Sequence, residues 1–257
     1  MKPALLALLA LLLAAGPVRA DIDTARAALS GGDPAPAVRL AGDGDVVAQE
    51  LLAEAYLTGR GVPRDPVIAA GWLRKAAEQD SLSAQIMLAQ LYEEGVGVEK
   101  DVAESTRWLE KAASRGDGES QLSLGVRYLQ GAGVAANPKT GVMWIEKAAR
   151  QGDPVAQMQY GAALANGLAG DALPDEGLGW IVRAADQGHV EALLTMGTVS
   201  YRGNFGDQDI VVAYKWFRLA ANMGEDRAMQ LLGVLEAEMT PDQVARAENM
   251  VREWTPK

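Results

Sequence analysis

His189 is the one histidine of the 257-residue chain, and cysteine is absent. Without a thiol there is no disulfide, thiolate zinc site, cysteine nucleophile or acylated lipoprotein cysteine. With one imidazole there is no metal centre built on several histidines. To act as a base, His189 would need a nucleophile and an orienting acid, and no serine elbow or comparable motif surrounds it. The 34 Asp and Glu residues offer many carboxylates. Glycoside hydrolysis needs two of them placed across a cleft, and no pair is distinguished by spacing. The Gly-x-Gly-Val segments at 59–62, 95–98 and 131–134 could be mistaken for phosphate-cradling loops. A nucleotide site needs a preceding strand and a fuller glycine pattern, and neither occurs. The residues therefore point to no catalytic, cofactor-binding or metal-ligating position.

Composition narrows the partners. With 49% hydrophobic and 23% charged residues the chain is globular, not disordered or collagen-like. A net charge of −10 and a pI near 4.7 argue against nucleic acid. At the start, Lys2 precedes an unbroken Ala/Leu run over 4–15, which Gly16-Pro17 and Val18-Arg19-Ala20 follow. As a helix that run spans about 18 Å, short of a bilayer core of roughly 30 Å. The expectation is a signal peptide over 1–20, cleaved after Ala20. Loss of Lys2 and Arg19 would take the net charge from −10 to −12. No second apolar run has spanning length, so the mature chain is expected to be soluble, without membrane insertion. In a Gram-negative source it would be periplasmic.

The elements that carry these residues repeat. Trp72, Trp108, Trp144, Trp180 and Trp216 lie 36 residues apart, and such a period marks a solenoid. Units begin at Gly44, Asp80, Gly116, Gly152, Gly188 and Gly224. Each opens with a helical pattern: a small residue (Ala48, Ala84, Ser120, Ala156), then a large apolar one (Leu52, Leu88, Leu124, Tyr160), then a small one again (Ala53, Ala89, Gly125, Gly161, Gly197, Gly233). A mid-helix glycine costs about 1 kcal/mol against alanine, so the last four imply close approach by a neighbouring helix. Gly59, Gly95, Gly131, Gly167 and Gly203 read as helix stops. A second helix then starts at Asp65-Pro66, at Asp101 with Glu104 as a capping box, or at Asn137-Pro138. It carries a small residue, the Trp and an Ala-Ala pair at helical spacing, which makes the Trp stripe core. His189, in the place held by Asp45, Asp117 and Asp153, reads as a solvent-facing helix start.

Segments such as Leu88-Ala89-Gln90-Leu91-Tyr92-Glu93-Glu94-Gly95 and Trp144-Ile145-Glu146-Lys147-Ala148-Ala149 resemble the Sel1-like repeats, relatives of the tetratricopeptide repeats. The resemblance runs over about residues 44–254. It implies an all-α fold, a right-handed α/α superhelix of antiparallel helix pairs, with a concave face that binds other proteins and no catalytic machinery. The expected organisation is a signal peptide at 1–20, an N-terminal capping half-repeat at 21–43, five repeats at 44–223, and a C-terminal repeat with capping helix at 224–257.

By analogy with tetratricopeptide units, the partner-binding surface would be formed by first-helix residues: Glu50 and Glu54, Ile86 and Gln90, Leu122 and Val126, Met158 and Ala162, Leu194 and Thr198. Glu93 and Glu94 lie near it. The competing reading packs the apolar members between repeats. The altered turns around Ala169 and Phe205 are a second candidate contact. The expected function is a monomeric, non-catalytic interaction scaffold of the cell envelope. It would bind a protein or peptide, basic by charge complementarity, with no cofactor. The alternatives are a cell-wall-related enzyme or glycan-binding accessory factor, and a chaperone-like holder of secreted chains.

Overall fold

The computed structural model describes residues 21–204 and 206–256; the expected signal peptide and Phe205 lie outside them. The described residues form fourteen α-helices and no strand. Helix α1 covers 21–30, followed by α2 (Ala35–Gly42), α3 (Val46–Thr58), α4 (Pro66–Glu78), α5 (Leu82–Glu94), α6 (Val102–Ser114) and α7 (Gly118–Gln130). Then come α8 (Pro138–Arg150), α9 (Pro154–Ala165), α10 (Pro174–Asp186), α11 (Val190–Arg202), α12 (Ile210–Asn222), α13 (Asp226–Glu238) and α14 (Pro241–Glu253). The fold is all-α, built of helix pairs on the 36-residue period.

The helix starts are held by side chains accepting from the exposed first-turn N–H groups. Asp45 accepts from Ala48 at 2.8 Å, Ser81 from Ala84 at 3.1 Å, Asp117 from Ser120 at 2.8 Å and Asp153 from Ala156 at 2.6 Å. His189 does the same with Nδ1, accepting from Ala192 at 3.3 Å. It is a cap. Asp65, Asp101 and Asp209 each accept from two N–H groups at the starts of α4, α6 and α12. The capping box expected at Asp101 is not formed: the Asp101 N–H donates to Tyr92 O at 2.9 Å, and Glu104 pairs with Arg107 at 2.9 Å. A reciprocal box closes at α14, between Thr240 and Gln243.

The described residues divide into two compact units, 21–116 with 132–134 and 117–131 with 135–256. In the first, α3 packs on α4 and α5 on α6, while α4 joins α5. Its core runs from Ile22, Ala37 and Leu52 to Leu73, Leu88 and Trp108. The second glycine of each turn is required here. Gly61 and Gly97 have φ of 77° and 72°, and a Cβ would come within 1.7 Å of Leu29 O and 2.0 Å of Pro66 O. Each turn therefore seats its backbone against an earlier helix, α1 for Gly61 and α4 for Gly97, which no side chain permits.

In the second unit α7 pairs with α8, α9 with α10 and α11 with α12, and successive pairs stack through α8–α9, α10–α11 and α12–α13. The mid-helix glycines mark these contacts. A Cβ on Gly161 would fall 2.5 Å from Gly177 O, and one on Gly125 2.5 Å from Ile145 Cγ1. Gly197 is likewise filled by Phe217. Gly233 departs from expectation, for nothing lies within 4 Å of where its Cβ would be. The reason is the ending: α13 stops at Met239 in extended backbone without a glycine turn, and α14 packs on α12 instead of α13. Tyr214 of α12 fixes the last two helices, its hydroxyl lying 3.0 Å from both Glu236 and Glu248. Arg218 supports Glu248 at 3.2 Å. Burial, then the Glu248 and Glu236 hydrogen bonds, push the Tyr214 phenol well above its ordinary range.

Trp108, Trp144 and Trp216 are buried, whereas Trp72 and Trp180 are half-buried. Each of the five rings carries a cation. Lys75, Lys111 and Lys147, three residues after their Trp, place Nζ 4.0, 4.0 and 3.8 Å from the ring centroid. Arg183 lies 4.3 Å from Trp180, and Lys215 lies 3.8 Å from Trp216. The charged heads themselves lie over the ring faces at cation–π distance.

Candidate partner-binding surface

The proposed residues come from the first helix of each pair, whose opposite stripe is committed to the core. In the first unit Glu50 is half-buried and occupied: Ser81 and Ser83 both donate to its Oε1 from the start of α5. It tightens the packing of neighbouring pairs. Glu54 is exposed and lines a cleft of about 280 Å³ between α1 and α3. Arg26 and Arg60 share that cleft, so the acidic field is offset locally. Ile86 is half-buried, and Gln90 is exposed, donating to Glu94 at 2.8 Å. Glu93 and Glu94 are exposed at the end of α5.

In the second unit Leu122 is half-buried against the Val142, Ile145 and Tyr160 cluster. Met158 is not surface: only 8% exposed, it packs in the cluster of Ile181, Leu193 and Phe217. The apolar residue nearest the next pair is drawn into it, as the competing reading of these positions held. Val126 and Ala162 face each other across a cleft of about 400 Å³ between α7 and α9. Leu194 and Thr198 line a third cleft, about 250 Å³, between α11 and α13, with Glu191 and Arg227. The first-helix face thus carries clefts between successive first helices, and five of the twelve positions stand on their walls.

Two features escaped the sequence reading. One is the lining contributed by Gln130, Gln159, Asn166 and Leu168, of which only Leu168 lay in a segment already marked as irregular. The other is a set of buried glutamines. Gln49, Gln85 and Gln157 donate to the carbonyls of Ala41, Ala77 and Ala149 at the end of the preceding pair. Gln79, Gln151 and Gln187 then donate to Gln49, Gln121 and Gln157 at 2.9, 2.8 and 2.8 Å. Their 36-residue period was the available signal.

No group of three or more potential metal-binding side chains occurs among the described residues, nor a helix long and apolar enough to cross a membrane. The Sel1 repeat model matches five consecutive segments, 46–81, 82–117, 118–153, 154–189 and 190–225. The chain belongs to the Sel1-repeat family. Among solved structures it is similar to a protective antigen present in uropathogenic Escherichia coli strains that displays an SLR fold. The two share 27% identity with a TM-score of 0.75, over 90% of this chain and 52% of that one. This chain therefore spans about half the length of that relative. It is also similar to a Sel1 repeat protein from Oxalobacter formigenes, at 28% identity and a TM-score of 0.70, covering 82% of this chain and 88% of that one. No curated protein matches it. Sel1-repeat proteins are generally protein–protein interaction scaffolds and typically non-catalytic.

Proposed function

We propose that this chain is a monomeric, non-catalytic scaffold of the cell envelope that binds a protein or peptide partner on its first-helix surface. The observation that carries the reading is the division of labour within each pair. Second helices spend their large rings on the core, while first helices leave clefts walled by Glu54, Val126, Ala162, Leu194 and Thr198. Clefts spread along successive helices suit an extended partner better than a single reaction centre. Export rests on the apolar run at 4–15 and places the mature start at Asp21. The organisation proposed is a cap at 21–43, repeats at 44–223 and a closing repeat with α14 at 224–257.

The partner's basic character follows from the net charge of −10 and from the exposed Glu93 and Glu94. Affinity capture from the native envelope, with mass-spectrometric identification, tests the reading. The expected result is a defined partner whose association slows with added salt and slows further in a Glu54→Lys, Glu93→Lys, Glu94→Lys variant. A partner indifferent to salt and to these changes would remove the acidic first-helix face from consideration. Recovery of the protein starting at Met1 in the membrane fraction would overturn the export reading.

A further inference from the structure

The fourth pair breaks the turn pattern of the first three. Where Gly61, Gly97 and Gly133 adopt positive φ and seat against a preceding helix, the chain has Ala169, which does not enter that conformation. The segment between α9 and α10 keeps the outer hydrogen bonds of the regular turns, Leu168 N–H to Ala163 O and Leu173 N–H to Leu164 O, both at 2.9 Å, and adds one inside them from Gly170 N–H to Gly167 O at 3.4 Å. Leu168, in the place held by Arg60 and Val96 in the first two turns, is 45% exposed and lies on the lining of the α7/α9 cleft.

That cleft has a consistent chemistry. Its floor is the fully buried Ile145, and Val126 and Ala162 form its walls. Its polar lining is Gln130, Gln159 and Asn166, with no ionisable side chain, in a chain of net charge −10. Asn166 uses Nδ2 on Ala162 O at 2.8 Å, which turns its Oδ1 to other donors. A carboxamide presents both a donor and an acceptor, the same pair that each residue of an extended peptide backbone presents. A charged segment would lose its hydration against an uncharged, apolar lining. The volume of about 400 Å³ suits one large side chain and its adjoining backbone.

We propose that the α7/α9 cleft takes one aliphatic or aromatic side chain from an extended, uncharged stretch of a partner polypeptide, with Gln130, Gln159 and Asn166 pairing with its backbone and Leu168 closing over the side chain. This rests on the scaffold reading and specifies the partner at one of its clefts: an apolar anchor in a neutral segment, distinct from the basic character expected at Glu93 and Glu94.

The test uses methyl-labelled protein and the synthetic peptides Ser-Gly-Asn-Xaa-Asn-Gly-Ser, with Xaa as Leu, Phe, Ala or Asp, followed by NMR. The Leu and Phe peptides are expected to shift the methyl signals of Val126, Ala162 and Leu168, and the Ala and Asp peptides to bind at least about fivefold more weakly. Leu168→Ser, at an exposed position, should weaken the Leu peptide about tenfold with an unchanged thermal midpoint. Gln159→Ala, which keeps the apolar floor, should weaken it too. Unchanged affinity in both variants, equal binding of the Asp peptide, or tighter binding of decanoate at the same methyls would each overturn the proposal. A lysine-rich peptide titrated against Glu93 and Glu94 reads the wider scaffold function separately. If it binds while the neutral series does not, the cleft assignment alone falls. If neither binds, both fall.

Discussion

Gln85 and Arg115 are mismatched. In three other pairs a glutamine thirty residues on donates to the buried glutamine, as Gln187 does to Gln157 at 2.8 Å. Arg115 occupies that place for Gln85, stays exposed, and leaves the buried Gln85 Oε1 without a partner. Arg115→Gln is therefore expected to raise stability by about 1 kcal/mol in urea unfolding. Gln187→Ala, which strands Gln157 Oε1, should lower it by about 1–3 kcal/mol. A loss from Arg115→Gln would show that the glutamine pairs do not act as interchangeable joints.

Gly161 and Gly233 occupy the same place in their helices with opposite surroundings. Gly161→Ala would drive a methyl to 2.5 Å from Gly177 O, and destabilisation of about 1–3 kcal/mol is expected. Gly233→Ala meets open space and should gain up to about 1 kcal/mol from helix propensity. Thermal unfolding of the two variants checks the sign of each.

Trp144 is buried on a central helix, so Trp144→Ala should cost about 3–5 kcal/mol. Trp254, half-buried at the end of α14, should cost less. A reversed order of unfolding midpoints would place the core elsewhere.

Tyr214 sets an alkaline limit. Its phenol ionises at an ordinary pKa near 10 when unfolded and well above that when folded. The folded state thus holds the proton longer, and its stabilising contribution is complete below pH about 10 and lost as pH rises beyond it. Tyr214→Phe should show a shallower fall in stability between pH 10 and 12 than the parent protein. Identical alkaline slopes would mean that the hydroxyl is not held by Glu236 and Glu248.

The helix pairs were legible because their signals are local. The period of Trp72 to Trp216, the caps at Asp65 and Asn137, and the glycine stops each need only a few neighbouring residues to act. The glutamine joints were not legible, since Gln85 reads as surface until the carbonyl of Ala77 is seen to wait for it. The tetratricopeptide analogy puts Met158 on the surface, and the helix delivers it instead to Ile181 and Phe217. The loss of the second glycine at Ala169 was visible as a break. That Leu168 stands beside a cleft depends on the packing of α7 and α9, which local sequence does not describe. Sequence shows Glu54 only as a charge, whereas its cleft adds Arg26 of α1 and Arg60 of the turn after α3.

The fifth pair replaces the glutamine by Leu193, fully buried, and its counterpart by Met223. The joint that enters this pair is therefore greased where the one entering the fourth is pinned by Gln157. Apolar contacts lose strength on cooling, so the seam around Leu193 is expected to weaken more than the one at Gln157 as the temperature falls. Cold sensitivity would then gather at the entrance to the fifth pair.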